Sequence, residues 1–182
     1  VTADKVISAA ASTQTGVGQS FTALAASYKH SVYIKAAGAG FAQLLWASSR
    51  STDYLNINLS TGAITGAYAS ASANPVSGDW WEVSITSSLS AGACAAFVWL
   101  VNSGAAARAA AYTGDGTSGI YIWGADIRPA NSPTNIPPYQ RAGATESDYD
   151  TAGFPYYWSF DGSNDSLQTA SAVAQTNEDH CL

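Results

Sequence analysis

Three carboxylates, Asp53, Glu82 and Asp126, fall on stretches with strand character, and a pair of carboxylates is what hydrolysis of a glycosidic bond requires. That reaction needs two carboxyl groups at a set separation, one with a raised pKa, and no spacing in the sequence links any pair of the three. A serine or cysteine nucleophile fares no better. His30 and His180 are the only histidines; His30 reads as a strand-end residue, and no serine sits in a Gly-x-Ser-x-Gly elbow. The same shortage of ligands argues against zinc. The Gly-rich opening of Gly114-Asp-Gly-Thr-Ser-Gly119 has the look of a phosphate loop, but no helix and no lysine follow it. Catalysis is therefore not expected of this chain.

Composition points to a scaffold rich in sheet. Of 182 residues 47% are apolar and only 11% charged, with abundant Gly, Ser, Thr and Ala. That length supports one well-packed domain with or without an appended segment. A formal charge of −6 and a pI near 4.5 leave no basic footprint for nucleic acid or an anionic membrane surface. No run of 18 apolar residues is present, so membrane insertion is not expected, and no signal-peptide pattern opens the chain. The chain has no methionine, which reads as an internal piece of a longer polypeptide or a processed product. Cys94 and Cys181 are too few for a disulfide scaffold and read as free thiols.

The elements follow from periodicity. Val6-Ile7 and Phe21 to Leu24 read as two short strands joined by a turn at Gly16 and Gly18. In Ser31 to Lys35, Val32 and Ile34 alternate with Ser31, Tyr33 and Lys35, the pattern of a half-buried strand that Gly38 and Gly40 end. Phe41 to Ala47 is a further apolar run. Tyr54 to Leu59 alternates most cleanly, with Leu55, Ile57 and Leu59 on one face and Tyr54, Asn56 and Asn58 on the other. Ser60-Thr61-Gly62 turns it into a hairpin with Ala63 to Tyr68. Ala69 to Gly78 reads as a polar connection. In the strand beyond it, Trp81, Val83 and Ile85 share one face and Trp80, Glu82 and Ser84 the other. Ala95 to Val101 is apolar on both parities, as a strand covered on two sides would be. Ala105 to Tyr112 is too short for a stable helix. The polar turn around Asp115 and Ser118 then opens into Ile120 to Ile127, which reads as the last strand because prolines follow.

Trp46, Trp81, Trp99 and Trp123 are assigned to the core, Trp123 against the competing parity of Ile120 and Ile122. Five of the six prolines lie between 129 and 155, and residues 142 to 182 carry seven acidic groups and no basic one. The chain thus divides into an all-β sandwich module over 1–128, a proline-rich linker over 129–157 and an acidic segment over 158–182.

Several stretches, in order, resemble one family. Ala3-Asp-Lys-Val6, Tyr28 to Lys35, the Leu-Ser-Thr-Gly of 59–62, Asp79 to Thr86 and Gly114 to Asp126 are similar to jelly-roll carbohydrate-binding-type modules of tailed-phage and prophage virion proteins. The family motifs run Y-x-x-S-V-Y-V-K, L-S-T-G, W-Y-x-V-S-x-T and G-D-G-T-S-G-I-Y-I-W-G-A-Q. Here Trp81 stands for the usual Tyr, Glu82 for a basic residue and Asp126 for Gln. Trp158 to Thr169 resembles the opening of a concanavalin A-like lectin or laminin-G-like sandwich.

The resemblance implies an antiparallel jelly-roll β-sandwich in a virion, in a tail or fibre, which binds host surface glycan without chemistry and assembles with other virion subunits, commonly as a trimer. It also implies that a structural calcium is worth seeking, with Asp115, or Asp161, Asn164 and Asp165, as oxygen donors. Neither group forms a 12-residue calcium loop, and ordinary Asx and Gly turns are the competing reading of both. Glycan binding by such modules uses exposed rings for stacking and polar groups for hydroxyls. Parity nominates Tyr33, Tyr54 and Trp80 as the rings, with Lys35, Asn56 and Glu82 beside them. The competing readings are a purely structural virion or assembly module whose aromatics are all packed and whose free sheet edges pair with neighbouring subunits, and an accessory domain of a secreted polysaccharide-degrading enzyme.

Overall fold

A computed structural model describes residues 3–131, all within a compact unit spanning Val1–Tyr139. Most of the linker, the acidic segment, Cys181, His180 and the second set of calcium donors lie outside the described residues.

Ten strands and no helix make up the described chain: β1 (Asp4–Ile7), β2 (Thr15–Ala23), β3 (Ala26–Ala37), β4 (Phe41–Trp46), β5 (Tyr54–Asn58), β6 (Ile64–Ala67), β7 (Ser70–Val76), β8 (Trp80–Leu89), β9 (Gly92–Val101) and β10 (Gly119–Pro129). They form two five-stranded sheets, ordered β1-β10-β3-β8-β7 and β2-β9-β4-β5-β6, and every strand pair is antiparallel. The fold is an all-β sandwich.

The alternating residues become the interior. Val32 and Ile34 of β3, Val83 and Ile85 of β8 and Ile120 of β10 meet Leu44 and Trp46 of β4, Leu55 and Ile57 of β5, and Val98 and Leu100 of β9 in one buried cluster. Each such aliphatic side chain contributes about 1.5–3 kcal/mol by leaving water. Trp81 packs against this cluster and donates Nε1–H to the Leu59 carbonyl at 2.9 Å, which ties the β5–β6 turn to the opposite sheet. Arg50 fixes another corner: its Nε and Nη1 donate to the carbonyls of Ala93 and Ala91, at 2.9 and 2.7 Å, across the β8–β9 turn.

Several expectations are corrected. Gly16 and Gly18 do not make a turn; both lie within β2, opposite Trp99 and Phe97 of β9. A Cβ at either glycine would run into the facing ring, so these positions accept only a bare backbone beneath the aromatics. β1 and β2 also belong to different sheets rather than to one hairpin. The polar connection Ala69 to Gly78 contains the edge strand β7, whose small side chains and Pro75 hide its strand character while β8 supplies the ladder. β10 runs through Pro129, beyond the boundary at 128, and the ladder resumes past it where Ala130 N–H donates to the Ser27 carbonyl at 2.8 Å.

His30 is not at a strand end. It sits buried in the middle of β3, its ring 5.6 Å from that of Trp46 in the other sheet. Burial lowers its pKa to about 4, against a weaker opposing pull from Asp126. The imidazole is therefore neutral at ordinary pH. Cys94 is a buried free thiol whose pKa burial pushes up.

Candidate functional site

Residues directly opposed in an antiparallel ladder project to the same side, so the register gives the outer face of the first sheet row by row. One row runs Lys5 (β1), Tyr121 (β10), Lys35 (β3), Trp80 (β8), Val76 (β7). The next runs Trp123, Tyr33, Glu82, Asn74, and a third runs Asp126, Ser31, Ser84, Ser72. Four rings, Tyr33, Trp80, Tyr121 and Trp123, thus stand on one face, interleaved with amine, carboxylate and amide groups.

Their arrangement is specific. Tyr33 and Trp123 pack at 5.2 Å between centroids with planes tilted by 51°. Trp80 lies diagonal to Tyr33 on the far side. Together with Ala3, Val76 and Ser77 the three rings line an open groove of about 430 Å³, within the range of pockets that take small ligands. None of the three is fully buried. Beside the groove, Lys35 donates from Nζ to the Gly78 carbonyl at 2.7 Å and lies 3.9 Å from the Asp79 carboxylate, which holds the ammonium next to the Trp80 end. The β10 bulge between Trp123 and Asp126 carries Gly124 at φ +60, where a Cβ would come within 3.1 Å of the Tyr33 ring. Glycine adopts this bend without the strain and crowding that a Cβ would bring against the aromatic pair.

Of the six nominated residues, Tyr33, Lys35, Trp80 and Glu82 share this face. Tyr54 and Asn56 do not: both are on β5, in the other sheet. Asn56 is buried, and its amide is committed to the interior. It accepts from Gln43 Nε2 at 2.7 Å and donates to the carbonyls of Gly104 and Ala106 at 3.0 and 2.8 Å, while Gln43 Oε1 accepts from Ala109 N–H at 2.7 Å. The segment between β9 and β10 lies over this sheet, so alternation names the outward side of Asn56 correctly and misses its cover.

Trp123 and Trp99 are corrected in the opposite sense, since neither is a core residue. Trp123 joins the groove because Ile120 and Ile122 take the inward parity of β10. Trp99 lies on the outer face of the second sheet, 5.3 Å from Phe97, over the glycines of β2. Trp46 is fully buried, as assigned. The competing parity of the β10 isoleucines was the signal for Trp123; for Tyr121, 37% exposed, strict alternation with Ile120 and Ile122 carried the same information.

Only two of the three candidate carboxylates, Glu82 and Asp126, share a sheet face, with β3 between them. Glu82 stands beside Tyr33, Asp126 lies one register row away across β3 and pairs with Arg128, and Asp53 precedes β5 in the other sheet. Asp115 is a turn-maker. Its Oδ1 accepts the N–H groups of Thr117 and Ser118 at 2.8 and 2.6 Å, and its Oδ2 accepts the Ser118 hydroxyl at 2.6 Å. These bonds hold its carboxyl well below the usual carboxylate range. Among the described residues no three His, Cys, Asp or Glu side chains gather as a metal site would need.

No family model and no curated protein matches this sequence.

Proposed function

We propose that this chain is a non-catalytic module that binds carbohydrate on the outer face of its β1-β10-β3-β8-β7 sheet. The observation that carries this reading is the groove lined by Tyr33, Trp80 and Trp123. Aromatic faces stack on the C–H faces of pyranose rings, and Glu82, Asn74 and Lys35, set beside the rings by register, supply acceptors and donors for hydroxyls. The jelly-roll assignment, the virion setting in a tail or fibre and the choice of host surface glycan as ligand rest on the sequence resemblance. The non-catalytic role rests on the sequence, in which no spacing links a pair among Asp53, Glu82 and Asp126.

A glycan array probed with the intact chain tests the reading. Trp80→Ala and Trp123→Ala should each weaken binding about tenfold, the scale of a lost central aromatic contact, while Tyr54→Phe on the other sheet leaves it unchanged. Absence of binding to every glycan, or binding indifferent to both tryptophans, overturns it. A structural virion module that binds no glycan is the second reading, favoured by the uncharged edge strand β2.

A further inference from the structure

The two sheets have four edges, and three are blunted in ways that prevent strand addition. β1 is four residues long with Asp4 and Lys5 exposed, β6 is four residues long with Gly66 at φ +132, and β7 carries Pro75. β2 has none of these devices. It runs nine residues, Thr-Gly-Val-Gly-Gln-Ser-Phe-Thr-Ala, without charge, proline or register shift, and among the described residues it is bonded on one side only, to β9.

Its inward side is also under-covered. Residues of β2 opposite the buried Cys94, Ala96, Val98 and Leu100 should be core, yet Val17 in that set is 43% exposed, Gln19 is exposed and Phe21 is half-buried. Two partly exposed apolar side chains, Val17 and Phe21, flanking Gln19, therefore accompany an open backbone edge among the described residues.

We propose that β2 is a homotypic interface, pairing antiparallel with β2 of a second copy about a two-fold axis at Gln19. The sequence is self-complementary in that register. Gln19 meets Gln19, Val17 meets Phe21 on the inward side, and the bare Gly16 and Gly18 meet Thr22 and Ser20 on the outer side, which avoids crowding under the Trp99 and Phe97 rings. The pairing joins the two β2-β9-β4-β5-β6 sheets into one continuous sheet of two copies. It leaves the groove on the other sheet free, so it stands or falls independently of carbohydrate binding.

Sedimentation velocity of the full chain over a range of concentrations provides the test. The wild-type chain should dimerise. Gln19→Lys and Gln19→Glu each place like charges opposite one another at the axis and should weaken the dimer about fivefold. An equimolar mixture of the two variants should dimerise at least as well as wild type, because opposite charges then meet. Gln19 is exposed, so unchanged circular dichroism, and melting equal to wild type at concentrations where all the proteins are monomeric, confirm that the fold persists. A wild-type chain that stays monomeric, one that closes as a trimer, or a dimer unmoved by either charge or not rescued by mixing, overturns the proposal.

Discussion

Tyr33 and Trp123 face each other across the β3–β10 ladder, ring centroids 5.2 Å apart, with Gly124 immediately behind the Tyr33 ring. The glycine favours this spacing, since a Cβ at its φ of +60 is strained and would press on the Tyr33 ring at 3.1 Å. Gly124→Ala should cost about 1 kcal/mol or more in stability, a fall in Tm of roughly 2–4 °C. It should also change the near-ultraviolet circular dichroism that the ring pair generates. A variant with wild-type spectrum and Tm would show that the bulge does not hold the rings.

His30 makes stability depend on pH through its burial. Its pKa falls from 6.5 in the unfolded chain to about 4 in the fold. Between those values the unfolded chain binds the extra proton, so stability is complete above pH 6.5 and declines as pH falls toward 4, by up to about 3 kcal/mol. Urea titrations at pH 7 and pH 4.5 should show the decline in wild type and a smaller one in His30→Leu. Equal slopes in the two proteins would place the acid sensitivity elsewhere.

Asp115 acts lower on the scale. Its folded pKa is depressed below 3.8, so its contribution is present above that value and lost as pH falls through the folded one. Asp115→Ala should therefore melt below wild type at pH 7, and the gap should narrow in strong acid. Calorimetry at both pH values checks this.

The buried amide pair is a larger structural commitment. Asn56→Ala removes one acceptor from Gln43 Nε2, which keeps the Ala107 carbonyl, and one donor each from the carbonyls of Ala106 and Gly104, of which Gly104 keeps the Thr65 hydroxyl. About 2–3 kcal/mol should be lost, with a Tm lower by roughly 4–12 °C. Amide exchange at Ala109, whose N–H is bonded to the Gln43 side chain, should quicken in the variant.

Strands that bury one face were legible because alternation is a direct image of burial: β3, β5 and β8 carry Val32/Ile34, Leu55/Ile57 and Val83/Ile85 at period two. Where a strand had little to bury, the signal vanished. β7 offers Ser, Ala and Asn with one proline, and its place in the sheet comes from β8. The glycines of β2 invite a turn reading because the reason for them, the rings of Trp99 and Phe97, lies about eighty residues away in sequence. For the groove, parity brought Tyr33, Lys35, Trp80 and Glu82 together, while β10 was ambiguous between two apolar faces. Burial of Asn56 depended on a covering segment between strands, which has no period to read.

β1 and β10 lie side by side and antiparallel, Asp4 beside Ile122, so the path into the sandwich and the path out of it run along the same end of the sheet. A pull applied at Asp4, across the strands, would open this ladder one rung at a time from the Asp4–Ile122 rung, like a zipper, instead of loading its hydrogen bonds all at once in shear. The module would give way at modest tension from that edge, and the interior of the second sheet would feel the load last.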